Sequence, residues 1–297
     1  MILAIFGGSF DPLHIGHIEI VKKALNELKI DKLLIVPTYI NPFKKRFTAP
    51  ANKRLEWLKK VFENKKKVEV IDFEIKQKRA VYTIETLLHL KSCYKNIEKT
   101  YLIIGADNLK NLQKWHKFEE LKKQVTFVVA TRKDTKLPKD LKKLSINVNI
   151  SSTSLRDKID ENFLPKTLKD EIKKYYIRKK MEQRIENIVT ILDNKKAENI
   201  QIFDMKDKDY FVEQVIIAST LGEKHGLALL DDLKKDLKDE SFLNIDDDNE
   251  WIVIDLGDIL IHLMTPEYRS KYNIEEFLSE REEEMKKLRE MTLEDLS

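Results

Sequence analysis

Cysteine is nearly absent from this chain of 297 residues, which contains only Cys93. An intrachain disulfide is therefore excluded, and a lone thiol is typical of a reducing compartment. Glycine and proline, with seven residues each, are too scarce for a collagen-like or disordered chain. No apolar run is long enough to span a bilayer, and the apolar start Met1–Phe6 lacks the preceding basic residues of a signal peptide. We therefore expect a cytoplasmic protein with no membrane partner.

Acidic residues are scarce in the first half of the chain and basic residues are scarce in the second. The net charge of the whole chain is nevertheless only +4. Residues 1–180 have a net charge of +19, and residues 181–297 have one of −15. Such asymmetry predicts two domains, 1–180 and 181–297, with different partners. The basic half suits nucleotides or nucleic acid, and the acidic half suits a basic protein or the basic half of its own chain. Two merely solvated surfaces are the remaining interpretation.

Apolar strands alternate with helices throughout the first half. This pattern predicts an α/β fold with a parallel sheet covered on both faces. Ligands of such sheets bind at the carboxyl ends of the strands. The predicted strands are Ile2–Phe6, Lys32–Pro37, Val68–Ile71, Thr100–Ile104 and Val125–Ala130; the predicted helices are Ile15–Leu28, Asn52–Phe62, Thr83–Lys91, Asn108–Lys122 and one opened by Ser151–Asp160.

The second half mixes strands and helices without a repeat. Two apolar runs joined by Leu256-Gly257-Asp258 predict a hairpin, and the acidic run Asp246–Asp248 is interpreted as a solvated loop rather than a cation site. The predicted strands are Ile200–Phe203, Val212–Ser219, Trp251–Leu256 and Ile259–Met264; the predicted helices are Glu182–Asp193, Lys224–Lys238 and a charged tail over Ile274–Leu296.

The most informative stretch is Gly7-Gly8-Ser9-Phe10-Asp11-Pro12-Leu13-His14-Ile15-Gly16-His17, which follows a strand and opens a helix. Its glycines allow close approach of a ligand, and the helix start offers N–H groups to phosphate. His14 and His17 share a helix face. A zinc pair would need a third ligand nearby, and surface or capping histidines would not need the Gly-Gly pair. We interpret the stretch as a phosphate-binding loop, although it matches neither a Walker loop nor a dinucleotide fingerprint.

Three further features suit nucleotide chemistry, each with a plainer alternative. Ser152 and Thr153 at a helix start can donate to phosphate oxygens or simply cap the helix. Asp107, after Gly105, can accept from ribose hydroxyls or close a turn. Trp115 can stack on a ligand ring or belong to the core.

Several blocks, in order, resemble the nucleotidylyltransferase superfamily and, within it, the bacterial nicotinate-mononucleotide adenylyltransferases. They are the His-Ile-Gly-His loop, Tyr82-Thr83-Ile84-Glu85-Thr86-Leu87, Ile104-Gly105-Ala106-Asp107-Asn108 followed by Trp115, and Ile150-Ser151-Ser152-Thr153-Ser154-Leu155-Arg156. The resemblance implies a Rossmann-like domain that transfers an adenylyl group from ATP to nicotinate mononucleotide, with Mg²⁺ on the triphosphate.

The same resemblance implies roles for individual residues. Catalysis would fall to His14, His17, Lys44 and Arg156, which hold the phosphates in line and neutralise their charge. ATP would be bound by Gly7, Gly8, Ser9, Phe10, His14, His17, Gly105, Asp107, Ser151, Ser152, Thr153 and Arg156, and the mononucleotide by Lys44, Tyr82, Thr83, Trp115 and Arg132. One departure is Phe43, where the family often has a histidine before the lysine; His116, where relatives often have another aromatic residue, has no assigned role.

Two segments of the second half, Trp251–His262 and Tyr268–Glu275, resemble the ribosomal silencing factors (Iojap-like). That resemblance implies a smaller α/β domain with a mixed sheet and a nucleotidyltransferase-like fold without catalytic groups. It also implies binding to the large ribosomal subunit through a basic protein at the subunit interface, which blocks subunit joining. The candidate ribosome-binding residues are Trp251, Asp255, His262, Arg269 and Tyr272.

The sequence is compatible with two other functions. The first half can be a different nucleotidylyltransferase, such as a pantetheine-phosphate or cytidylyl enzyme, with an accessory self-docking domain. Alternatively, the whole chain can be a non-enzymatic nucleotide sensor on ribosomes. The substrate blocks argue against the former, and the intact His14, His17 and Lys44 against the latter. No direct DNA binding is expected.

Overall fold

The computed structural model describes residues 1–41, 47–132, 141–206 and 208–281. The chain divides into two compact units, Met1–Lys180 and Met181–Ser297. In the described ranges, no helix is both long enough and apolar enough to cross a membrane.

The first unit is built on a six-stranded sheet of order β3-β2-β1-β4-β5-β6, in which every neighbouring pair is parallel. This confirms the predicted parallel α/β class. The last strand was not predicted, because only Leu144 of its five residues is buried and an edge strand needs no continuous apolar run. The strands are β1 (Ile2–Gly8), β2 (Lys32–Pro37), β3 (Val68–Val70), β4 (Lys99–Gly105), β5 (Thr126–Arg132) and β6 (Lys142–Ile146).

Helices cover both faces of this sheet, because successive strand residues point to opposite sides. In β2, Leu33 and Ile35 join one core with residues of helices α1 and α2, whereas Leu34 and Val36 join a second core with residues of α4 and α5. The helices are α1 (Ile15–Glu27), α2 (Ala51–Phe62), α3 (Phe73–Lys76), α4 (Thr83–Cys93), α5 (Phe118–Gln124) and α6 (Ser152–Asp157).

The strand order indicates where a ligand crevice is expected. The chain moves from β1 to one side through β2 and β3, and then returns to the other side of β1 with β4. The two carboxyl ends at this switch point are Gly8 and Gly105, and parallel sheets bind ligands between such ends.

The prediction that Asn108–Lys122 is mostly helical is confirmed, but two separate helices cover the range. A 3₁₀ helix covers Ala106–Lys114, the chain breaks, and α5 begins at Phe118. Two residues explain the break: Trp115 is extended and packs against the core, and Lys117 is left-handed with φ of 52°. An α-helix cannot pass through such a residue.

The second unit has a five-stranded mixed sheet of order β7-β8-β11-β10-β9. The predicted hairpin is confirmed, since Trp251 pairs with Met264 and Asp255 with Leu260 in antiparallel register. The remaining elements are α7 (Lys169–Asn194), β7 (Glu198–Asp204), β8 (Gln214–Ser219), α8 (Glu223–Asp236), β9 (Asn244–Asp248), β10 (Trp251–Asp255), β11 (Ile259–Met264) and α9 (Pro266–Tyr272), with residues 274–281 also helical.

The expectation of a loop at Asp246–Asp248 is wrong, because these residues belong to β9 and Asp246 pairs with Val253 of β10. The strand lies at the sheet edge with mostly exposed side chains, so no apolar alternation marks it in the sequence. Charged side chains are a common protection of an exposed edge against pairing with another chain.

Candidate active site

The two histidines of the glycine-rich loop lie at the carboxyl end of β1, where α1 begins. His14 is the N-cap residue of α1, and its ring stacks on that of His17 with 3.7 Å between centroids. His17 Nδ1 accepts a hydrogen bond of 3.2 Å from the backbone N–H of His14. A neutral imidazole with Nδ1 as acceptor carries its hydrogen on Nε2. His17 therefore presents one N–H donor away from the backbone.

The pKa of His17 lies well below its usual value. Burial is the main cause, and the neighbouring His14 adds to it. The ring packs edge-on against Phe10, with 4.9 Å between centroids, and Phe10 in turn contacts Phe6. Burial thus favours the neutral form of His17, and Phe10, which is itself buried, supports that ring.

Gly16, between the two histidines, has no room for a side chain. A Cβ atom here would lie 2.9 Å from Nδ1 of His14 and 3.4 Å from Ile150, which precedes α6. Glycine therefore lets the His14 ring and the α6 segment approach the same turn. This explains the spacing of His-Ile-Gly-His in physical terms.

Asp11 is the buried centre of the loop, and the sequence analysis gave it no role. Its Oδ1 accepts from the backbone N–H of Ala49 at 2.9 Å and from the hydroxyl of Tyr176 at 2.5 Å, and its Oδ2 accepts from the N–H of Thr48 at 3.0 Å. Burial, together with the Asp11 carboxylate, raises the pKa of Tyr176. Asp11 thereby connects the phosphate loop to the start of α2 and to α7.

Arg54 is a second structural residue that sequence reasoning missed. Its side chain is fully buried and donates to three backbone carbonyls, those of Ser9 (2.6 Å), Tyr39 (3.0 Å) and Ala49 (3.0 Å). Burial lowers its pKa. In sequence, Lys53-Arg54 resembles an exposed helix face, so no local pattern marks it.

The block before and within α6 closes onto the same loop. Ser151 caps α6 by accepting from the N–H of Ser154 at 3.1 Å, and the hydroxyl of Ser152 donates to the carbonyl of Pro12 at 3.0 Å. Arg156 donates to the carbonyl of Asp11 and, at 3.2 Å, to Oγ1 of Thr153. Ser151 therefore caps the helix, and Ser152 and Arg156 join it to the glycine-rich loop.

The loop after β4 provides Asp107, beside the end of β1. Asp107 is exposed in the first turn of the 3₁₀ helix, and Oδ1 accepts from the amide of Asn108 at 3.2 Å. Its second carboxylate oxygen has no hydrogen bond to the described residues. Gly105 ends β4 next to it, and Gly7 and Gly8 end β1, followed by Ser9.

An aromatic group forms the other end of the candidate site. Tyr82, the N-cap residue of α4, is 45% exposed and stacks on His116 at 4.3 Å. Trp115 is half-buried against the core, so both of its sequence interpretations are compatible with its position. Thr83 opens α4 directly beneath Tyr82. Of the other predicted residues, Phe43 and Lys44 lie outside the described residues, and Arg132 ends β5.

Glu74 is a buried carboxyl group behind α4 that the sequence did not indicate. Its Oε1 accepts a 2.7 Å hydrogen bond from the hydroxyl of Thr86, in the second turn of α4. Burial raises the pKa of Glu74 to about 7, against the opposing effect of Thr86.

In the second unit, three of the five predicted ribosome-binding residues come together. The indole of Trp251 donates to Nδ1 of His262 at 3.0 Å and lies 5.0 Å from the ring of Tyr272. Arg269 donates to Glu275, Ser219 Oγ and the carbonyl of Asn199, so its guanidinium joins elements of its own unit. Asp255 is at the opposite end of β10, where it accepts from the N–H of Gly257 at 2.6 Å.

Comparison with known proteins divides the chain at the same region. A family model described as Cytidylyltransferase-like matches residues 5–158, and one described as Ribosomal silencing factor during starvation matches residues 178–296. A protein named "Probable nicotinate-nucleotide adenylyltransferase" from Campylobacter fetus subsp. fetus (strain 82-40) is 54% identical over 176 residues, which are 59% of this chain and 97% of that protein. One of the same name from Aliarcobacter butzleri (strain RM4018) is 54% identical over 58% of this chain and 95% of its own.

A solved structure described as "Plasmodium falciparum nicotinic acid mononucleotide adenylyltransferase complexed with NaAD" is also similar. It is 22% identical, covers 59% of this chain and 95% of its own, and has a TM-score of 0.49.

Proposed function

Because the chain belongs to the Cytidylyltransferase-like family, among its nicotinate-nucleotide adenylyltransferases, we propose that the Met1–Lys180 unit transfers an adenylyl group from ATP to nicotinate mononucleotide. A phosphate oxygen of the mononucleotide attacks the α-phosphorus of ATP, and the bond to pyrophosphate breaks. The products are nicotinate adenine dinucleotide and pyrophosphate. The observation that carries the proposal is the stacked His14–His17 pair at the switch point of the sheet.

The residues around this pair suit the chemistry. The attacking phosphate is already anionic, so the reaction needs no general base. What it needs is alignment of two phosphates and donors aimed at the charge that develops on them. His17 supports this role with its Nε2–H, and a bound anion would favour its protonated form. His14, Lys44 and Arg156 are the other proposed catalytic residues.

We propose that ATP occupies the crevice between β1 and β4. Its phosphates would meet the Gly7–Phe10 loop and residues 151–156, and its ribose would meet Asp107. The mononucleotide would then lie toward Tyr82 and Thr83, with Trp115 beside the pyridine ring and Arg132 and Lys44 near its charges.

Mg²⁺ suits this arrangement as the counter-ion of ATP. Asp11, the buried carboxylate of the loop, already accepts three hydrogen bonds, so we assign the ion to the phosphates rather than to this side chain. Phosphate oxygens and water are ligands that Mg²⁺ prefers. When bound to the triphosphate, the ion would neutralise charge on the leaving pyrophosphate.

Pyrophosphate release by the full chain tests the proposal. With ATP and Mg²⁺, we expect turnover with nicotinate mononucleotide and much weaker turnover with nicotinamide mononucleotide, because a site with donors for a carboxylate discriminates against the amide. Turnover with 4′-phosphopantetheine or CTP instead would indicate the related enzymes considered above. Equal efficiency with acid and amide would contradict the substrate assignment.

A second function is favoured for the Met181–Ser297 unit. We propose that it binds the large ribosomal subunit through a basic protein at the subunit interface and so blocks subunit joining. The supporting observations are the match to the silencing-factor model and the cluster of Trp251, His262 and Tyr272 in a half of charge −15. Aromatic side chains with an acidic surround suit a basic protein partner. His262 is buried, so its contribution would be to orient Trp251.

Co-sedimentation of the full chain with purified large subunits tests this second function. Tyr272→Ala should weaken binding about tenfold or more if Tyr272 belongs to the interface core. Ile202→Ala, at an equally exposed position of β7, is the matched control. If the folded chain does not co-sediment even at low salt, the ribosome proposal fails, and docking onto the basic half becomes the better explanation.

A further inference from the structure

The amino ends of the parallel strands form an edge of the Met1–Lys180 unit opposite the histidines, since all six strands run the same way. The connecting helices run back against the strands, so their carboxyl ends meet this edge. Every segment that enters a strand after β1 contains lysines, in the ranges 29–32, 65–67, 91–99, 122–123 and 142–143. We call the lysines of these five segments the lysine band.

Two acidic residues at this edge bind groups outside the band, and a third pairs with one of its lysines. Asp31 accepts from the backbone N–H of Ile2 at 2.6 Å, and Glu98 binds the amino terminus of Met1 at 3.1 Å. Glu69 pairs with Lys32 at 2.7 Å. In the described part of the chain, no carboxylate lies within ion-pair distance of Lys65, Lys66, Lys95, Lys122 or Lys123.

Helix ends explain only part of this charge. Lysines in the last turn of a helix interact favourably with its dipole, and this accounts for Lys91, Lys122 and Lys123. It does not account for Lys99 and Lys142, which begin strands. Their ammonium groups lie 4.8 Å and 5.4 Å from the ring of Tyr101, which keeps both near the same surface.

The band also has a concave part. A groove of about 240 Å³ lies between the ends of α4 and α5. Its lining includes Lys91, Lys99 and Lys123, together with Gln124 and Thr126. The only carboxylate in the lining, Glu98, is already paired with the amino terminus. The groove therefore presents cations and polar side chains, which suit a phosphate group.

We propose that the lysine band binds the phosphodiester backbone of RNA. Six strands spaced about 4.8 Å apart make an edge about 24 Å wide, which matches a run of phosphates rather than a single anion. The net charge of +19 in residues 1–180 also exceeds what a triphosphate and a monophosphate require. RNA is the polyanion favoured, because the same chain matches a ribosomal silencing model over residues 178–296. The surface is separate from the catalytic crevice, so RNA and ATP can bind together.

Binding of the full chain to a labelled 20-base-pair RNA duplex tests the proposal. The variant Lys95→Glu/Lys123→Glu/Lys142→Glu should weaken binding at least about tenfold and lower the salt dependence, since each lost phosphate contact reduces the log–log slope by roughly 0.7 to 0.9. The matched control is Lys22→Glu/Lys166→Glu/Lys174→Glu, which changes the charge equally at exposed positions of the same unit. The control should lose less than about threefold.

Adenylyl transfer by both variants reports on their folding, because the band lies away from the histidines. The neutral variant Lys95→Gln/Lys123→Gln/Lys142→Gln should show an intermediate loss of RNA binding. It replaces the charge-reversed variant in the test if charge reversal prevents folding. Three results would overturn the proposal: no binding of the duplex at low salt, equal weakening by band and control variants, or loss of binding to phosphatidylserine vesicles with RNA binding intact. The last result would identify a lipid surface as the ligand.

Discussion

Single buried polar residues hold the active-site loops in place. Asp11 and Arg54 both bind backbone groups of loops, and each joins segments far apart in sequence. Removing a buried hydrogen-bonding group leaves its partners unsatisfied, at about 1–3 kcal/mol for each group. The histidines can therefore keep one geometry although the residues between β1 and α1 form no regular helix or strand.

At His17, the direction of one N–H can be tested. His17→Ala should reduce kcat for adenylyl transfer about a hundredfold or more without loss of folding, because a donor to the transition state is removed and no large cavity is formed. His17→Gln places an amide N–H near the position of Nε2, whereas His17→Asn places one near Nδ1. We expect Gln to retain more activity than Asn.

Steady-state rates of the three variants provide the measurement, and His89→Ala, in the last turns of α4, is the control. Near-normal turnover by His17→Ala would remove His17 from the site. An Asn variant more active than the Gln variant would contradict the assigned direction of the donor.

Glu74 should make the first unit less stable at high pH. Its pKa is about 7 in the folded state and about 4.5 when unfolded, so the folded protein binds the extra proton between these values. The stabilisation is complete below pH 4.5 and is lost as the pH rises through 7. Glu74→Gln keeps an acceptor for Thr86 but has no charge, so it should raise the free energy of unfolding at pH 8 by about 2–3 kcal/mol.

Urea unfolding of the full chain at pH 5 and pH 8, followed in the first unit, measures this effect. Glu119→Gln, at an exposed position of α5, should change little at either pH. A Glu74→Gln variant no more stable than wild type at pH 8 would show that Glu74 is not a buried, destabilised carboxylate.

Among the elements, α7 has the most unusual position, because one helix contributes to the cores of both units. Ile172 and Tyr176 pack in the first core, whereas Ile188 and Leu192 pack in the second. Arg184 binds Glu240 and Asp258 of the second unit at 2.6–2.8 Å. The boundary near residue 180 therefore falls inside a helix, which explains why no flexible linker marks it in the sequence.

Truncation within α7 separates its two roles. A fragment of residues 1–180 keeps Tyr176 and its bond to Asp11, so we expect it to be folded and active. A fragment of residues 1–168 loses that bond and the packing of Ile172, which should lower the free energy of unfolding by several kcal/mol, with a packing term of about 2–5 kcal/mol.

Pyrophosphate release measures the activity of both fragments, and thermal unfolding measures their stability. Tyr176→Phe in the 1–180 fragment isolates the hydroxyl and should cost about 1–3 kcal/mol. A 1–180 fragment that is folded but inactive would mean that the acidic half contributes to catalysis.

For the whole molecule, the two units should respond to pH in opposite directions. In the second unit, burial lowers the pKa of His262 to about 4, with Glu275 opposing the shift. The unfolded chain then binds the extra proton, so the stabilisation is present above pH 6.5 and is lost as the pH falls toward 4. The loss should reach about 3 kcal/mol, while protonation of Glu74 acts in the other direction in the first unit.

Calorimetry of the full chain between pH 7.5 and 5 should therefore show two unfolding transitions. As the pH falls, the transition of the second unit should move to lower temperature relative to that of the first unit. His262→Asn keeps an acceptor for the Trp251 indole and removes the titration, so it should abolish most of this relative shift. His225→Asn, a histidine of α8 in the same unit, is the control. A shift that persists in His262→Asn would assign the acid sensitivity to other groups.

The sequence by itself determined the class of the first unit, the position of its glycine-rich loop between a strand and a helix, and its family. These features are local: continuous apolar strands, a Gly-Gly turn before a helix and short motifs of fixed spacing are visible within about ten residues. The same holds for the hairpin of the second unit, whose two apolar runs flank one turn. Edge strands β6 and β9 could not be found in this way. Most of their side chains are not buried, so their sequences need no apolar pattern.

Only the tertiary structure decided how the site is held together. Arg54 and Glu74 are ionisable residues in polar stretches, and their burial depends on segments that are distant in sequence. The neutral state of His17 likewise follows from packing against Phe10 and His14. The lysine band was visible in the sequence only as a net charge, because the parallel order of six strands is what brings its five segments to one edge. Spacing along the chain specifies which side chains are available, whereas the fold sets their distances, burial and protonation.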